Sequence, residues 1–463
     1  MSASPANAGT SSRQLAHRLL SGGAAAAAFR IGAIGLNMLL AVVLARHLPP
    51  AGFGLYALAH TYLLFGSMLA LLGLEQVLVR RVSGCLAGAS GDLRSLLGST
   101  LRMVALGWGG VTVLLLLGRG WLLGTDATAL AGWLAVWVGL QAINMALVAF
   151  LRGMHRLVLS SLFHSLVRNL VLVVLAGVLA LRGELTLLTL LMSAAAATGV
   201  SVALAALVLW RRLPPRRADG STAGAGAASV ARLWGQSWPL LVATVLGLGL
   251  TQADLWLLRV VGGEEELAIY GAVLRLVFLM DLPLLVLNTT VASTIAELYT
   301  AGRREMLERV ARSSTSLATL PAAVVAAVLF GGGGWVLELL FGDFYRQGAV
   351  LLMLLSVGYL LRLATGPCGL MLMLCGHQRD QMLITIGSIL FLLTAGLWAG
   401  SRYGMVGIAA VSATNLALNN LTTLFVARWR VGVFTHLYLM PWRMLRRRPG
   451  PSAGELAAAA RTS

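Results

Sequence analysis

Long apolar segments follow one another along the entire chain and constrain its fold more than any other feature. A helix needs about 20 mainly apolar residues to cross the hydrocarbon core of a bilayer. Twelve such segments are present, at roughly 24–45, 54–79, 96–118, 128–150, 157–181, 185–210, 236–258, 267–293, 314–341, 348–375, 381–400 and 404–427. Since the connections are short, little chain is left for a soluble catalytic domain. The sequence therefore predicts an all-α polytopic membrane protein with about twelve transmembrane helices.

The composition supports the same class. Hydrophobic residues make up 58% of the chain and charged residues 11%, against about 25% charged residues in a soluble domain. This excludes a disordered chain and argues against a soluble enzyme. The formal charge is +18, and every basic residue is an arginine. A high basic charge can indicate nucleic-acid binding, but so few charges in total favour a membrane protein, and we expect no nucleic-acid partner.

The arginines also predict the topology. If the N-terminus is cytoplasmic, 24 arginines lie on the cytoplasmic side and six in outer loops, as the positive-inside rule requires. Five more lie within or near the predicted spans. The first apolar run is too long for a signal peptide. We therefore expect it to be a transmembrane helix, with both termini in the cytoplasm.

One long connection divides the chain. Residues 211–235 are basic and then rich in Pro, Gly and Ala, which is typical of a flexible linker. We expect a cytoplasmic N-terminal segment at 1–23 and six-helix bundles at 24–210 and 236–430, joined by this linker. A basic cytoplasmic tail, 431–463, would follow.

The two predicted bundles carry related motifs. The segments 44–59 and 257–273 align an arginine and a tyrosine at offsets of 213 and 214, and LRGMHR (151–156) and LCGHQR (374–379) share L-x-G-x-x-R at an offset of 223. Repeats of six spans have the same orientation, so an axis along the membrane normal relates them. Substrate sites of such transporters lie between the repeats.

Ionisable residues inside spans mark functional sites by default, because their burial in lipid is costly. Arg102 lies close enough to the cytoplasmic end of its span to reach water. The residues predicted to form a cationic substrate cavity are Arg30, Arg168, Arg275 and Arg362. Arginine suits phosphate because its guanidinium forms paired hydrogen bonds. The alternative for these residues is an interhelical ion pair.

Acidic and amide side chains in the spans supply further candidates. The ion-coupling candidates are Asp281, Asp254 and Glu75. Each has an alternative as an ion-pair partner: Glu75 of Arg80, Asp254 of Arg259 and Asp281 of an unspecified arginine. The polar cavity candidates are Asn37, Asn144, Asn169 and Asn288. For Asn144, with Gln141 on the same span, substrate contact and interhelical hydrogen bonding both remain open.

Motifs of enzymes do not occur. No HExxH, GxSxG or zinc-ligand spacing is present, and the three cysteines are scattered. We therefore predict no catalytic residues, no metal site and no cofactor. The glycine run 331–334 lacks the residues of a phosphate-binding loop and predicts a break near the outer end of span nine.

The order of several loose motifs resembles a known family. These are ARHLPPAGFGLYALA (45–59), LLGLEQVLVRRVS (71–83), EEELAIYGAVLRL (264–276), LPLLVLNTTVASTIAELY (282–299) and TGPCGLMLMLCGHQRDQM (365–382). The chain resembles the polysaccharide biosynthesis flippases, the O-antigen exporter-like branch of the MATE-like superfamily. It departs from the family pattern at Leu48, in the doubled Pro49-Pro50 and at Ser293.

The resemblance implies two pseudo-symmetric six-helix bundles in a V around a central cavity. It implies alternating-access movement of an undecaprenyl-pyrophosphate-linked oligosaccharide between leaflets of the bacterial inner membrane. Arg275 would line the cavity and Arg30 would lie near its entrance. Na⁺ and H⁺ are the candidate coupling ions, and a polymerase and chain-length proteins are candidate partners besides membrane lipid. The rival functions are a MATE-type drug–cation antiporter, a lipid II flippase and a membrane-embedded polymerase.

Overall fold

The fold is built from α-helices throughout the part of the chain that the computed structural model describes, residues 28–86, 93–120, 127–213 and 230–438. The helices are α1 (Ala28–His47), α2 (Pro50–Ala70), α3 (Leu74–Leu86), α4 (Leu93–Leu117), α5 (Ala127–Gly153), α6 (Leu157–Arg182), α7 (Leu187–Arg212), α8 (Val230–Val261), α9 (Glu264–Met280), α10 (Leu282–Thr300), α11 (Arg304–Phe341), α12 (Ala349–Thr365), α13 (Cys368–Leu374) and α14 (Gln378–Val431). The predicted segments 1–23, most of 211–235 and most of 431–463 lie outside these residues.

The helix lengths agree with about twelve membrane crossings. Ten helices of the described chain are long and apolar enough to cross a membrane. One of them, α14, has 54 residues and contains a non-helical residue, Gly404, with φ 58° and ψ −143°. At 1.5 Å per residue it would be about 80 Å long if straight, more than twice the hydrocarbon thickness. It therefore supplies two crossings, and α9 with α10 supplies another. The all-α polytopic prediction is confirmed.

Three predicted spans are interrupted. The segment 54–79 ends as a helix at Ala70, and Gly73 then adopts φ +72° where α8 approaches so closely that a Cβ would lie 2.5 Å from the Ser237 carbonyl oxygen. The segment 267–293 is interrupted at Asp281, just before a proline. The segment 348–375 breaks at Gly366-Pro367, because proline lacks an N–H and disfavours helix in the residue before it.

The break predicted at the glycine run 331–334 is wrong. These residues lie inside α11, which continues to Phe341 and ends before Gly342, whose φ is +111°. Glycine weakens an isolated helix by about 1 kcal/mol relative to alanine. In the hydrocarbon core, breaking the helix would expose several backbone groups, which costs more, so the helix persists.

The described residues form two compact units. The first contains the described residues up to Leu276 together with Gly333–Leu351 and Ile389–Val411, and the second contains Val277–Gly332, Leu352–Ser388 and the described residues from Ser412. The division into bundles at 24–210 and 236–430 stays a prediction.

Helix α5 is the centre of the first unit. It packs against α2, α3, α4 and α7. Of the residues in its most apolar 18-residue stretch, 83% are buried. Small residues allow close contact between these helices. A Cβ on Gly139 of α5 would collide with the Trp108 ring of α4, whose indole nitrogen donates to the Ala135 carbonyl at 2.7 Å. Polar side chains carried inward on α5 are therefore held in fixed positions.

The second unit contains an extended segment after α14, residues 432–438, which we name the C-terminal strap. It begins at Gly432, in the left-handed conformation, and contacts the N-terminal third of α11 and the C-terminal end of α12. Thr435 accepts from Thr315 at 2.8 Å and donates to the Thr365 carbonyl at 2.7 Å, while Tyr438 donates its N–H to Ser316 at 3.0 Å. The strap, which continues from α14, thus joins α11 and α12 by hydrogen bonds.

Candidate anion-binding site

Arg168 lies on α6, and neutral amides hold its guanidinium. Its Nη1 donates to Gln141 Oε1 of α5 at 2.7 Å, and Nε and Nη2 both donate to Asn169 Oδ1 at 3.2 Å. Asn169 in turn donates to the Ala33 carbonyl of α1 at 2.9 Å. Arg168 is half-buried and Asn169 is buried. Two of the predicted site residues are therefore adjacent in space, on one hydrogen-bond network.

The helix carrying Arg168 is not regular. Residues Leu162–Leu166 form a π-helical turn within α6. The Phe163 carbonyl in this turn accepts hydrogen bonds from Asn144 Nδ2 at 3.0 Å and Ser201 Oγ at 2.9 Å. Asn144 is fully buried, so its geometry fits interhelical packing, the second of its two alternatives.

Arg275 lies on α9 and also has neutral partners. Its Nη1 donates to the Gly271 carbonyl one turn earlier at 2.9 Å, and its guanidinium carbon lies 5.1 Å from the centre of the Phe53 ring. The Phe53 ring contacts Tyr345 edge-on at 5.8 Å, and the buried Tyr345 hydroxyl has no hydrogen-bond partner. A cation over an aromatic face is stabilised but keeps its full charge.

Tyr56 and His60 of α2 lie within electrostatic range of both arginines. The charges of Arg168 and Arg275 both act on each of these side chains. Tyr56 stacks on Trp137 of α5, with ring centres 6.4 Å apart and planes 15° apart. We name Arg168, Arg275, Tyr56, His60 and Gln141 the arginine cluster. All of its members belong to the first unit.

The arginine cluster carries uncompensated positive charge. Within the described chain, neither Arg168 nor Arg275 pairs with a carboxylate. A desolvated charge without a counter-charge is costly. An anion placed between the two guanidiniums would supply that counter-charge and accept their remaining hydrogen bonds.

Arg362 differs from these two arginines because it has a carboxylate partner. Its Nη1 lies 3.0 Å from Asp281 Oδ2, and the two side chains are 28% and 21% exposed. The pair lies in the second unit. It fits the ion-pair alternative for both residues. Asp281 Oδ1 and Asn288 Oδ1, on the other hand, are buried without a hydrogen-bond partner.

Two predicted ion pairs are replaced by others. Glu75 binds Arg152 at 2.8 Å rather than Arg80, and Arg259 lies 3.7 Å from Glu264. Asp254 instead accepts a hydrogen bond from the Tyr270 hydroxyl at 3.0 Å. The partner of Glu75 is 77 positions away in the sequence, so the meeting of helix faces determines this pair.

The remaining candidates lie on α1. Arg30 is exposed near its start, and Asn37 is half-buried two turns further on. The substrate-binding role of Arg30 near the cavity entrance and the role of Asn37 as a polar cavity residue stay predictions. Among the described residues, no three His, Cys, Asp or Glu side chains are grouped so that they could hold a metal ion.

Sequence reasoning missed the aromatic members of the site. His60 was visible as a titratable residue inside a span, but it shares no ligand spacing with other histidines. Phe53, Tyr56 and Trp137 look like ordinary core residues in the sequence. Phe53 is distinguished only by its contact with Arg275, and Trp137 only by its stacking on Tyr56.

Comparison with known families gives two matches. The model described as polysaccharide biosynthesis protein matches residues 19–295, and the MatE model matches residues 239–398. Together they extend over most of the predicted spans. No curated protein matches the sequence at a significant level.

Solved structures of low sequence identity share the fold. A multidrug resistance MATE family transporter of the MOP superfamily, in an inward-facing conformation, has a TM-score of 0.71 at 14% identity, covering 86% of this chain and 94% of that one. The lipid II flippase MurJ, in an inward closed conformation, has a TM-score of 0.69 at 9% identity, covering 90% and 89%.

A third structure is a MOP superfamily transporter from Pyrococcus furiosus. Its TM-score is 0.63 at 14% identity, and the match covers 89% of this chain and 94% of that one. The binding pocket of that protein is described as having reverse polarity, suggesting a different function. At such identities the likenesses establish the MATE-like fold of this chain and nothing finer.

Proposed function

Because the chain belongs to the polysaccharide biosynthesis protein family, we propose that it moves an undecaprenyl-pyrophosphate-linked oligosaccharide from the inner to the outer leaflet of a bacterial inner membrane. Family and fold make it a multi-pass membrane transporter or flippase rather than an enzyme. The observation that carries the finer proposal is the uncompensated charge of the arginine cluster.

The charge of the cluster matches a pyrophosphate. Two guanidiniums without carboxylate partners contribute two positive charges, and a pyrophosphate diester carries about two negative charges. Each guanidinium can also form paired hydrogen bonds with phosphate oxygens. The amide of Gln141 orients Arg168 without cancelling its charge. The cluster therefore suits a phosphate-bearing headgroup.

A drug–cation antiporter fits this site less well. A cationic substrate requires acidic or aromatic partners, and cations close to two unpaired arginines would be repelled. Asp281, an acidic residue within a predicted span, already binds Arg362 in the second unit. A lipid II flippase would recognise the same pyrophosphate, so the choice between these substrates depends on the sugar.

Ion coupling and protein partners extend the proposal. Of the three acidic candidates, Asp281 has a buried carboxylate oxygen without a partner, whereas Glu75 is bound to Arg152. Asp281 is therefore the preferred site for Na⁺ or H⁺. In the proposed pathway the substrate passes to a polysaccharide polymerase on the outer side, and both termini remain cytoplasmic.

The test is flipping in proteoliposomes of a fluorescent disaccharide linked to undecaprenyl pyrophosphate. Arg168→Gln and Arg275→Gln keep hydrogen-bonding groups and remove the charge. Loss of a charged hydrogen bond costs about 1.5–3 kcal/mol, so each variant should flip about tenfold or more slowly. Arg102→Gln, on the exposed face of α4, is the matched control and should behave like the natural protein.

Two results would decide against the proposal. If Arg168→Gln and Arg275→Gln both flip the probe at the rate of the natural protein, the arginine cluster does not bind the headgroup. If lipid II is flipped and the disaccharide-linked probe is not, the protein belongs to cell-wall synthesis instead. Cation-dependent uptake of a dye with no flipping of either lipid would support the antiporter.

A further inference from the structure

The π-helical turn of α6 sets the direction of Arg168. A π-turn holds one more residue than an α-turn, and such turns occur frequently at functional sites. The turn Leu162–Leu166 ends two residues before Arg168. One residue corresponds to a rotation of about 100° around the helix axis. Loss of the π-turn would therefore turn Arg168 away from Gln141 or shift the helix that follows.

Two side chains from neighbouring helices hold this turn. Asn144 of α5 and Ser201 of α7 both donate to the Phe163 carbonyl, at 3.0 and 2.9 Å. Ser201 Oγ also lies 3.4 Å from Asn144 Oδ1. Both residues are fully buried, with 0% of their surfaces exposed. We name the two hydrogen bonds to the Phe163 carbonyl the tie. Buried amide and hydroxyl groups are unfavourable unless they are hydrogen-bonded. The two donors are therefore satisfied only while the Phe163 carbonyl stays where the π-turn places it.

The hydrogen bond from Asn144 and the hydrogen bond from Arg168 both join α5 to α6. Asn144 lies three residues after Gln141 on α5, which puts both on one face of that helix. Gln141 binds the guanidinium, and Asn144 binds the backbone from which the guanidinium extends. Helix α5 therefore fixes Arg168 at two points, one on the side chain and one on the main chain.

We propose that Asn144 and Ser201 are positioning residues that hold the π-turn of α6 so that Arg168 is directed into the anion site. They do not touch the substrate. Their contribution to transport passes through Arg168. This inference rests on the proposed function, because it assumes that Arg168 binds the headgroup.

A neighbouring hydrogen bond provides a matched control. The indole nitrogen of Trp137 on α5 donates to Thr198 Oγ1 on α7 at 3.0 Å, and Thr198 is fully buried. Like the tie, it is a buried polar bond of α5, but it does not involve α6. Thr198→Val removes it at nearly constant volume. Any effect of weakened packing between α5 and α7 should appear in this variant too.

The experiment is a double-mutant cycle in proteoliposomes containing the fluorescent disaccharide linked to undecaprenyl pyrophosphate. Asn144→Ala and the milder Ser201→Ala are each made alone and together with Arg168→Gln. The readouts are the half-saturating probe concentration and the maximal flipping rate. We expect Asn144→Ala to raise the half-saturating concentration about tenfold. In the Arg168→Gln background it should add less than about twofold, because interacting residues are not additive.

The outcomes separate the inference from the proposed function. If the effects of Asn144→Ala or Ser201→Ala multiply with that of Arg168→Gln, or equal that of Thr198→Val, the two residues only support packing and the inference is overturned. If Asn144→Ala does not fold, Ser201→Ala decides the question alone. If Arg168→Gln and Arg275→Gln both flip normally, the proposed function itself fails.

Discussion

At the scale of single residues, Arg168, Arg275 and Arg362 differ in the kind of group that binds their guanidiniums. Arg168 is bound by amides and Arg275 by a backbone carbonyl and an aromatic ring, whereas Arg362 is bound by a carboxylate. In the sequence the three are equivalent cations in apolar helices. The partners make the first two suited to an external anion, while the third has its counter-charge within the protein.

The pair between Arg362 and Asp281 predicts an asymmetric response to substitution. Removing one partner leaves a partly buried charge unpaired, so Arg362→Gln or Asp281→Asn should lower the free energy of unfolding by about 1–3 kcal/mol. The double variant should recover part of that loss, because no unpaired charge remains. Chemical denaturation of the detergent-purified protein would measure all three.

A more exposed pair in the same unit serves as the control. Arg430 and Asp380 lie 2.9 Å apart, and the arginine side chain is 42% exposed. Arg430→Gln should change stability by less than about 1 kcal/mol, as is usual for surface pairs. If the Arg362 and Asp281 variants are equally mild, or the double variant is as unstable as the sum of both, the pair does not stabilise the fold.

The sequence locates these residues but not their partners. An ionisable side chain in an apolar segment is visible at once, and Arg168, Arg275 and Arg362 were identified in this way. Their partners depend on which helix faces meet. The Glu75 to Arg152 pair, for example, joins residues 77 positions apart, while the sequence suggested the nearby Arg80. Hydropathy contains no information on such contacts.

At the scale of helices, the apolar segments were predictable and their breaks were not. Two of the three breaks involve a distant residue. A side chain at Gly73 would collide with the backbone of α8, and one at Gly366 would collide with Thr315 and Thr435. A glycine run, in contrast, remained helical in α11. Local composition decides whether a segment enters the membrane, and packing decides where it bends.

The C-terminal strap predicts a dependence of stability on pH. Nε2 of His436 accepts a hydrogen bond from Arg312 Nη2 of α11 at 3.2 Å. Partial burial and the Arg312 charge lower the pKa of His436, against a smaller opposite effect of Glu308. The unfolded chain therefore binds a proton at higher pH than the folded chain does. The stability contributed by this residue should fall as the pH drops through about 6.5.

Comparison with a variant that cannot titrate isolates the effect. His436→Gln keeps a side-chain oxygen that can accept from Arg312. We expect the Tm of the natural protein to fall more than that of His436→Gln between about pH 7.5 and about pH 5.5. Equal falls in the two proteins would show that the strap does not respond to His436.

At the scale of the whole molecule, the arginine distribution predicts the orientation in the membrane. In a variant without its three cysteines, Ser401→Cys should react with a membrane-impermeant maleimide in intact cells, because we expect the exposed Ser401 to face outward. Thr222→Cys, in the predicted linker, should react only after the membrane is permeabilised. The reverse pattern would invert the topology.

The sequence alone was enough to predict the class of protein, the approximate number of membrane spans and the family. Twelve apolar segments of sufficient length leave few alternatives, since only helices and closed barrels satisfy the backbone in lipid. The two compact units did not follow, because each combines ranges distant in the sequence. Such groupings arise from contacts between helix faces, and segment order says little about those faces.

The position of the strap in the chain has a consequence for biosynthesis. The ribosome makes residues 432–438 after all the described helices, so Thr315 and Ser316 enter the membrane before the strap exists. Both hydroxyls also donate within α11, to the Ala311 and Arg312 carbonyls at 2.8 and 2.9 Å. Each hydroxyl can thus form a hydrogen bond within its own helix during insertion. When the strap is made, Thr315 can also donate to the Thr435 carbonyl and Ser316 can accept from the Tyr438 N–H.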